Sequence, residues 1–205
     1  MHDAGDQWDQ MIQDSRDSLI TAAKNGDAGK AQQLIDRGWD MNYLDDQGNT
    51  ALHHASRWNH PQVVACLIKN SAKVETKNLQ DETALHLACL YDNFDALKIL
   101  VEKGKANVNA KDNQGWTALH FAAQNGNIEM VKYLVEQCKV DVNIPATDGV
   151  TALLIASLNN KLEVVQYLIQ HGAIVGMSTT EITTTQLLDP AIKAALLNAL
   201  NPKTA

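Results

Sequence analysis

With 205 residues, 45% of them apolar and 20% charged, the chain is long enough for one or two domains and has the balance of a globular protein that can bury a core. Its apolar runs fall far short of the roughly 20 residues needed to cross a bilayer, and the opening Met1-His2-Asp3, followed by acids, lacks the basic and apolar blocks of a signal peptide; membrane insertion and export by the general route are not expected. Seventeen basic against twenty-four acidic residues give a formal charge of −7, which repels nucleic-acid phosphates and disfavours a nucleic-acid partner.

Residues 1–17 form an acidic leader. Asp3, Asp6, Asp9, Asp14 and Asp17 face only Arg16, so more than half of the excess charge lies here. Trp8, Met11 and Ile12 add a short apolar face, which suits either a helix capping the first helix pair or one that docks a partner. From Ser18 to Gly26 a helix is predicted, and Gly38 and Asn42 close this segment in register with the next unit.

From residue 45 onward the chain repeats itself. Thr50-Ala51-Leu52-His53 recurs as Thr83-Ala84-Leu85-His86, Thr117-Ala118-Leu119-His120 and Thr151-Ala152-Leu153-Leu154, at offsets of 33, 34 and 34 residues. Each unit opens on a turn such as Asp45-Asp46-Gln47-Gly48 or Asp112-Asn113-Gln114-Gly115, where Gly permits positive φ and Asp or Asn bonds its own backbone. The Thr then stands at a helix N-cap, and the His three positions on takes the place that Glu or Gln holds in a capping box. The short first helix is predicted to end near Gly26, Asn59, Asp92, Gly126 or Asn160, residue types that tolerate left-handed geometry. A second helix comes next, with apolar residues at helical spacing, Ile128, Val131, Leu134 and Val135 in one unit and Leu162, Val165, Leu168 and Ile169 in another. Gly38, Gly104 and Gly172 are the expected stops, with one extra residue around Lys105 and Lys139.

Helices of about ten residues are marginal alone in water, so the units must stack, and the small residues Ser56, Cys89, Ala123 and Ser157 at one first-helix position let neighbours approach. At the far end Pro190 breaks the register of a further full unit. Asp189 is read as an N-cap and Pro190 as the first helical position of a closing helix packed through Ile192, Ala195, Leu196 and Ala199. Ser178 to Thr185 reads as loop or weak turn.

The pattern resembles the ankyrin repeat family, whose unit is about 33 residues with a T-P-L-H-x-A signature. Alanine replaces the signature proline in all four units. The resemblance implies an all-α, ankyrin-type solenoid of antiparallel helix pairs joined by turn or hairpin loops, with atypical capping repeats at both ends. The organisation expected is a leader over 1–17, repeats at about 18–44, 45–77, 78–111, 112–144 and 145–177, and a Thr-rich loop with a capping helix over 178–205.

Three places invite a reading as reactive chemistry. His53, His86 and His120 stand one unit apart, on helices expected about 8 to 10 Å from one another, whereas zinc ligands must all reach within about 2 Å of one ion; capping and bonds between repeats are the expected role. Cys89 shares the small packed position and is expected buried and inert. Gly26-Asp27-Ala28-Gly29-Lys30-Ala31 lacks phosphate-loop spacing and joins two helices. The three cysteines, Cys66, Cys89 and Cys138, without C-x-x-C spacing, suit free thiols in a reducing compartment. No catalytic residue, metal or cofactor is expected, and the cytoplasm is the expected location, with nuclear entry open.

Function is therefore sought in binding. A stack of repeats offers a concave face made of turn tips and first helices. In the ankyrin family the variable contact positions are the two residues after the turn Asp, the one before the signature Thr, and the seventh and eighth after it. Carried onto this chain, those positions hold Asp46, Gln47, Asn49, Arg57 and Trp58, then Leu79, Gln80, Glu82, Leu90 and Tyr91. Asn113, Gln114, Trp116, Gln124 and Asn125 come next, and then Thr147, Asp148, Val150, Leu158 and Asn159. Trp58, Leu90, Tyr91 and Trp116 are larger and more apolar than a bare scaffold needs there. The expectation is a monomeric, non-enzymatic module whose concave face captures a protein segment. The alternative is an adaptor or inhibitor, host-directed if the source is an intracellular microbe, that acts through the acidic leader.

Overall fold

The computed structural model describes residues 19–201; the leader, with Trp8, Met11 and Ile12, lies outside the described residues. Every regular element among the described residues is helical. They divide between Asn107 and Val108 into two compact units. The first holds α1 (residues 19–25), α2 (Ala28–Asp36), α3 (Ala51–Arg57), α4 (Pro61–Lys69), α5 (Ala84–Leu90) and α6 (Phe94–Glu102). The second holds α7 (Ala118–Asn125), α8 (Ile128–Lys132), α9 (Ala152–Leu158), α10 (Leu162–Gln170), α11 (Thr179–Thr184) and α12 (Pro190–Leu200).

Within each unit consecutive helices pair, and like helices of successive repeats lie side by side: α3 on α5 and α4 on α6 in the first, α7 on α9 in the second. Close approach comes from side-chain size. Ala55, Ser56, Ala88 and Cys89 are fully buried in the first unit, and Ala122, Ala123, Ala156 and Ser157 in the second. Leu67, Leu97 and Leu100, and likewise Met130, Leu134 and Leu168, fill the space between the helix layers. In the three signatures that carry histidine, Thr and His act as expected. The amides of Thr50, Thr83 and Thr117 donate to Nδ1 of His53, His86 and His120 at 3.1, 2.9 and 3.1 Å, completing capping boxes with histidine in the place of glutamate. Asp27, in the segment with the faint phosphate-loop look, accepts from the Lys30 amide at 2.7 Å and so caps α2.

First helices end where the residue types anticipated it, with positive φ at Gly26, Asn59, Asp92, Gly126 and Asn160. Second helices close on a recurrent bond: the carbonyls of Leu67 and Leu168 accept from the amides of Ala72 and Ala173, five residues on. In the two longer units the carbonyls of Leu100 and Leu134 accept from Ala106 and Val140, six residues on. The extra residue is thus held inside one loop, and the register beyond it is kept. In the second unit it is absorbed by a π turn over Tyr133–Gln137, where a five-residue hydrogen bond widens the helix.

Two expectations need correction. Gly104 is not the left-handed stop of α6; Lys105 takes that geometry, at φ 56°, because the inserted residue shifts the turn by one place. Glycine at 104 serves close approach instead, since a Cβ there would stand 2.7 Å from the Leu100 carbonyl. The Thr-rich stretch is not loop but α11, because Ser178 and Glu181 form a capping box and Ile182 is fully buried. The closing helix forms as read: Asp189 caps Ala191 at 2.8 Å, and Ile192 and Leu196 are buried.

Candidate functional site

In the first unit the turn side chains are committed to structure. Asp45 Oδ1 accepts from the amides of Gln47 and Asn49 at 3.0 and 2.8 Å, and Oδ2 takes a 2.7 Å contact from His54 Nε2. Burial raises the Asp45 pKa, but His54 and those two amides outweigh it and leave it below the usual carboxylate value. His54 is lowered, chiefly by burial, with Lys24 and Arg57 adding to that effect against the pull of Asp45. Its ring is therefore neutral at pH 7 and donates to the carboxylate. Asn78 repeats the Asp45 arrangement in the next turn, its Oδ1 accepting from Gln80 and Glu82 at 2.9 Å each, and the Leu79 amide donates to the Gln47 carbonyl at 3.1 Å.

Among these turns the candidate positions sort by exposure. Asp46, Gln47, Leu79 and Gln80 are exposed, and Glu82 is half-buried, with its carboxylate accepting from Asn78 Nδ2 at 2.8 Å. Asn49 departs from the expectation of a contact residue: it is buried, and its Oδ1 accepts from Asn78 Nδ2 at 3.1 Å, so it joins two turns.

At the ends of the first helices three candidates come together. Trp58 and Tyr91 are C-caps of α3 and α5, each at φ −97°, and occupy equivalent places in successive repeats. They remain 55% and 42% exposed, unlike the sealed first-helix residues beside them. The Arg57 guanidinium lies over both rings, 4.7 Å from the Tyr91 centroid and 5.6 Å from that of Trp58, within cation–π range. Asn93 secures the base, donating from Nδ2 to the carbonyls of Ser56 at 2.7 Å and Arg57 at 2.9 Å. Neither Asn93 nor the Asp45–His54 pair was singled out by sequence. The available signal was the recurrence of Asn or Asp just after the left-handed residue, at Asp27, Asn93 and Asn127, and of Asp or Asn at the turn starts Asp45, Asn78 and Asp112. Leu90 is half-buried.

In the second unit, Asn113, Gln114, Thr147, Asp148, Leu158 and Asn159 are exposed, while Gln124, Asn125 and Val150 are half-buried. Trp116 departs from the open placement expected of it. It is half-buried, with its ring 5.1 Å from Phe121 and 5.9 Å from His120, because the turn folds it onto α7. Of the histidines considered as metal ligands, His53 is held near pKa 4 chiefly by burial, and its Nε2 reaches the Glu82 carbonyl at 3.1 Å. Burial also lowers His120, against the opposing pull of the Val150 carbonyl, and its Nε2 is buried without a hydrogen bond among the described residues. Cys89 is buried as expected; Cys66 is half-buried, burial raises its pKa, and it donates to Gln32 at 3.3 Å.

A family model described as "Ankyrin repeats (3 copies)" matches residues 2–78, 19–112, 72–146 and 105–179, which together take in most of the chain. The chain belongs to the ankyrin repeat family. Ankyrin repeats are in general protein–protein interaction modules. Among ankyrin-bearing relatives, a "Transient receptor potential cation channel subfamily A member 1 homolog" of Caenorhabditis elegans is 35% identical over 98 residues, 46% of this chain and 8% of that protein. "Neurogenic locus notch homolog protein 1" of Xenopus laevis is 38% identical over 80 residues, 39% of this chain and 3% of the relative. "Serine/threonine-protein kinase 12" of Arabidopsis thaliana is 38% identical over 82 residues, 40% of this chain and 18% of the kinase. The ankyrin chain thus spans less than a fifth of the length of each. No helix among the described residues is long and apolar enough to cross a membrane.

Proposed function

We propose that this ankyrin chain is a non-enzymatic binding module that captures a protein segment on the face built from its turns and first helices, with Trp58, Tyr91 and Arg57 at the centre. The observation that carries the reading is the exposure of two large aromatic rings at equivalent places in successive repeats, where burial does not require them. Large apolar groups left in water mark interaction surfaces. Trp, Tyr and Arg are the commonest anchors of binding energy, typically worth about 2 kcal/mol or more on truncation. Leu79, the most exposed large apolar residue of the same unit, extends the surface along the turns, with Asp46, Gln47 and Gln80 as its polar surround.

In this reading the module acts as a monomer in a reducing compartment and needs no cofactor. Affinity capture from the native cytosol tests it. Trp58→Ala with Tyr91→Ala removes the partner while helical circular dichroism stays near wild type, and deletion of residues 1–14 leaves capture unchanged. Loss of capture on the deletion alone assigns binding to the acidic leader instead.

A further inference from the structure

We propose that the Arg57 guanidinium is the receptor for one carboxylate of the bound segment, an Asp or Glu side chain flanked by apolar residues. The inference rests on the proposed capture of a protein segment and specifies its chemistry. Arg57 is half-buried, and its side chain makes no hydrogen bond or ion pair with any described residue. The nearby acid is already spent, since both Asp45 oxygens are occupied by His54 and by the amides of Gln47 and Asn49.

The guanidinium carbon sits over both rings, 4.7 Å from the Tyr91 centroid and 5.6 Å from that of Trp58, contacts that engage its charge without using its N–H donors. Nε is buried, so the accessible edge is the terminal Nη1–Nη2 pair, a fork that accepts a carboxylate end-on through two parallel bonds. A carboxylate seated there brings its chain neighbours onto the exposed surfaces of Trp58 and Tyr91, which suits apolar residues on either side. Lys24 is the second cation, close enough to His54 to act on it together with Arg57. Arg57 and Lys24, set against the Asp45 carboxylate that acts on the same His54, leave one net positive charge, which matches a single negative charge; a phosphate dianion would call for more cations, in a chain whose net charge is −7.

The test is a nuclear magnetic resonance titration of the full chain with three blocked tripeptides, acetyl-Leu-Glu-Leu-amide, its Gln counterpart and its phosphoserine counterpart. The Trp58 indole signal is assigned by its absence in Trp58→Phe. At low salt the Glu peptide shifts this signal saturably and binds about fivefold or more tighter than the Gln peptide, as expected for a charge-assisted pair. Arg57→Gln, with an unchanged amide spectrum elsewhere, abolishes that preference. Equal binding of the Glu and Gln peptides, lost in Trp58→Ala, overturns the carboxylate receptor and leaves the aromatic binding surface standing. No saturable shift up to about 20 mM, or tighter binding of the phosphoserine peptide, also overturns it; the aromatic surface itself is judged separately, by partner capture.

Discussion

Nε2 of His53 lies 3.1 Å from the carbonyl of Glu82, a bond that runs from the first helix of one repeat to the turn of the next. Because Nδ1 accepts from the Thr50 amide, the proton sits on Nε2, and one neutral ring both caps its own helix and ties the repeats together. Protonation forces Nδ1 to give up its acceptor role, and burial already holds this pKa near 4 against 6.5 in the unfolded chain. A histidine whose folded pKa is depressed destabilises the fold where only the unfolded state takes up the proton. Stability is therefore expected to be level above pH 6.5 and to fall between 6.5 and 4, by on the order of 3 kcal/mol from His53, with His54 and His120 acting in the same direction. Asp45 adds a further loss only as pH drops below 3.8 toward its lowered value. Denaturant midpoints measured across this range check the slope, and His53→Gln, which keeps a capping-box side chain, is expected to flatten it. An unchanged slope in that variant contradicts the assignment.

Gly115 and Gly149 hold the same turn position at φ 79° and 83°, but only the first is crowded. A Cβ at 115 would stand 2.6 Å from the Thr147 amide nitrogen, whereas one at 149 meets nothing within 4 Å. Gly149→Ala is expected to cost about 1 kcal/mol for the left-handed backbone alone. Gly115→Ala is expected to cost about 1 to 3 kcal/mol more, since backbone must shift. Thermal unfolding of the two variants side by side separates these contributions.

Asn93 is buried and bonds two carbonyls at the end of the preceding repeat's first helix. Asn93→Ala strands both and is expected to cost about 2 kcal/mol. It is also expected to loosen Arg57, so partner affinity should fall even under conditions where the variant is fully folded. Isothermal titration beside a denaturation curve distinguishes this from a purely structural effect, in which affinity would stay at the wild-type value.

What was legible in the sequence was local. The Thr and His boxes, the left-handed residues at Asn59, Asp92 and Asn160, and the Asp189-Pro190 helix start each depend on groups within a few residues of one another, so spacing reveals them. The burial of Asn49 and the packing of Trp116 on Phe121 depend on neighbours brought in by the fold, and the contact pattern carried over from the family could not separate them from Gln47 or Trp58. The helix at Thr179–Thr184 was hidden by its threonines, which favour caps and strands, although Ser178 and Glu181 stood at capping-box spacing. The displacement of the left-handed turn from Gly104 to Lys105 came from one inserted residue whose place in the loop spacing alone did not fix.

The central claim is an aromatic surface at Trp58 and Tyr91 that grips a protein segment. Hydrogen exchange on the full chain, free and saturated with its captured partner, tests this most directly. The expected result is slowed exchange in peptides covering residues 45–60 and 79–93. Slowing confined to the second helices, at 61–69 and 94–102, would contradict it.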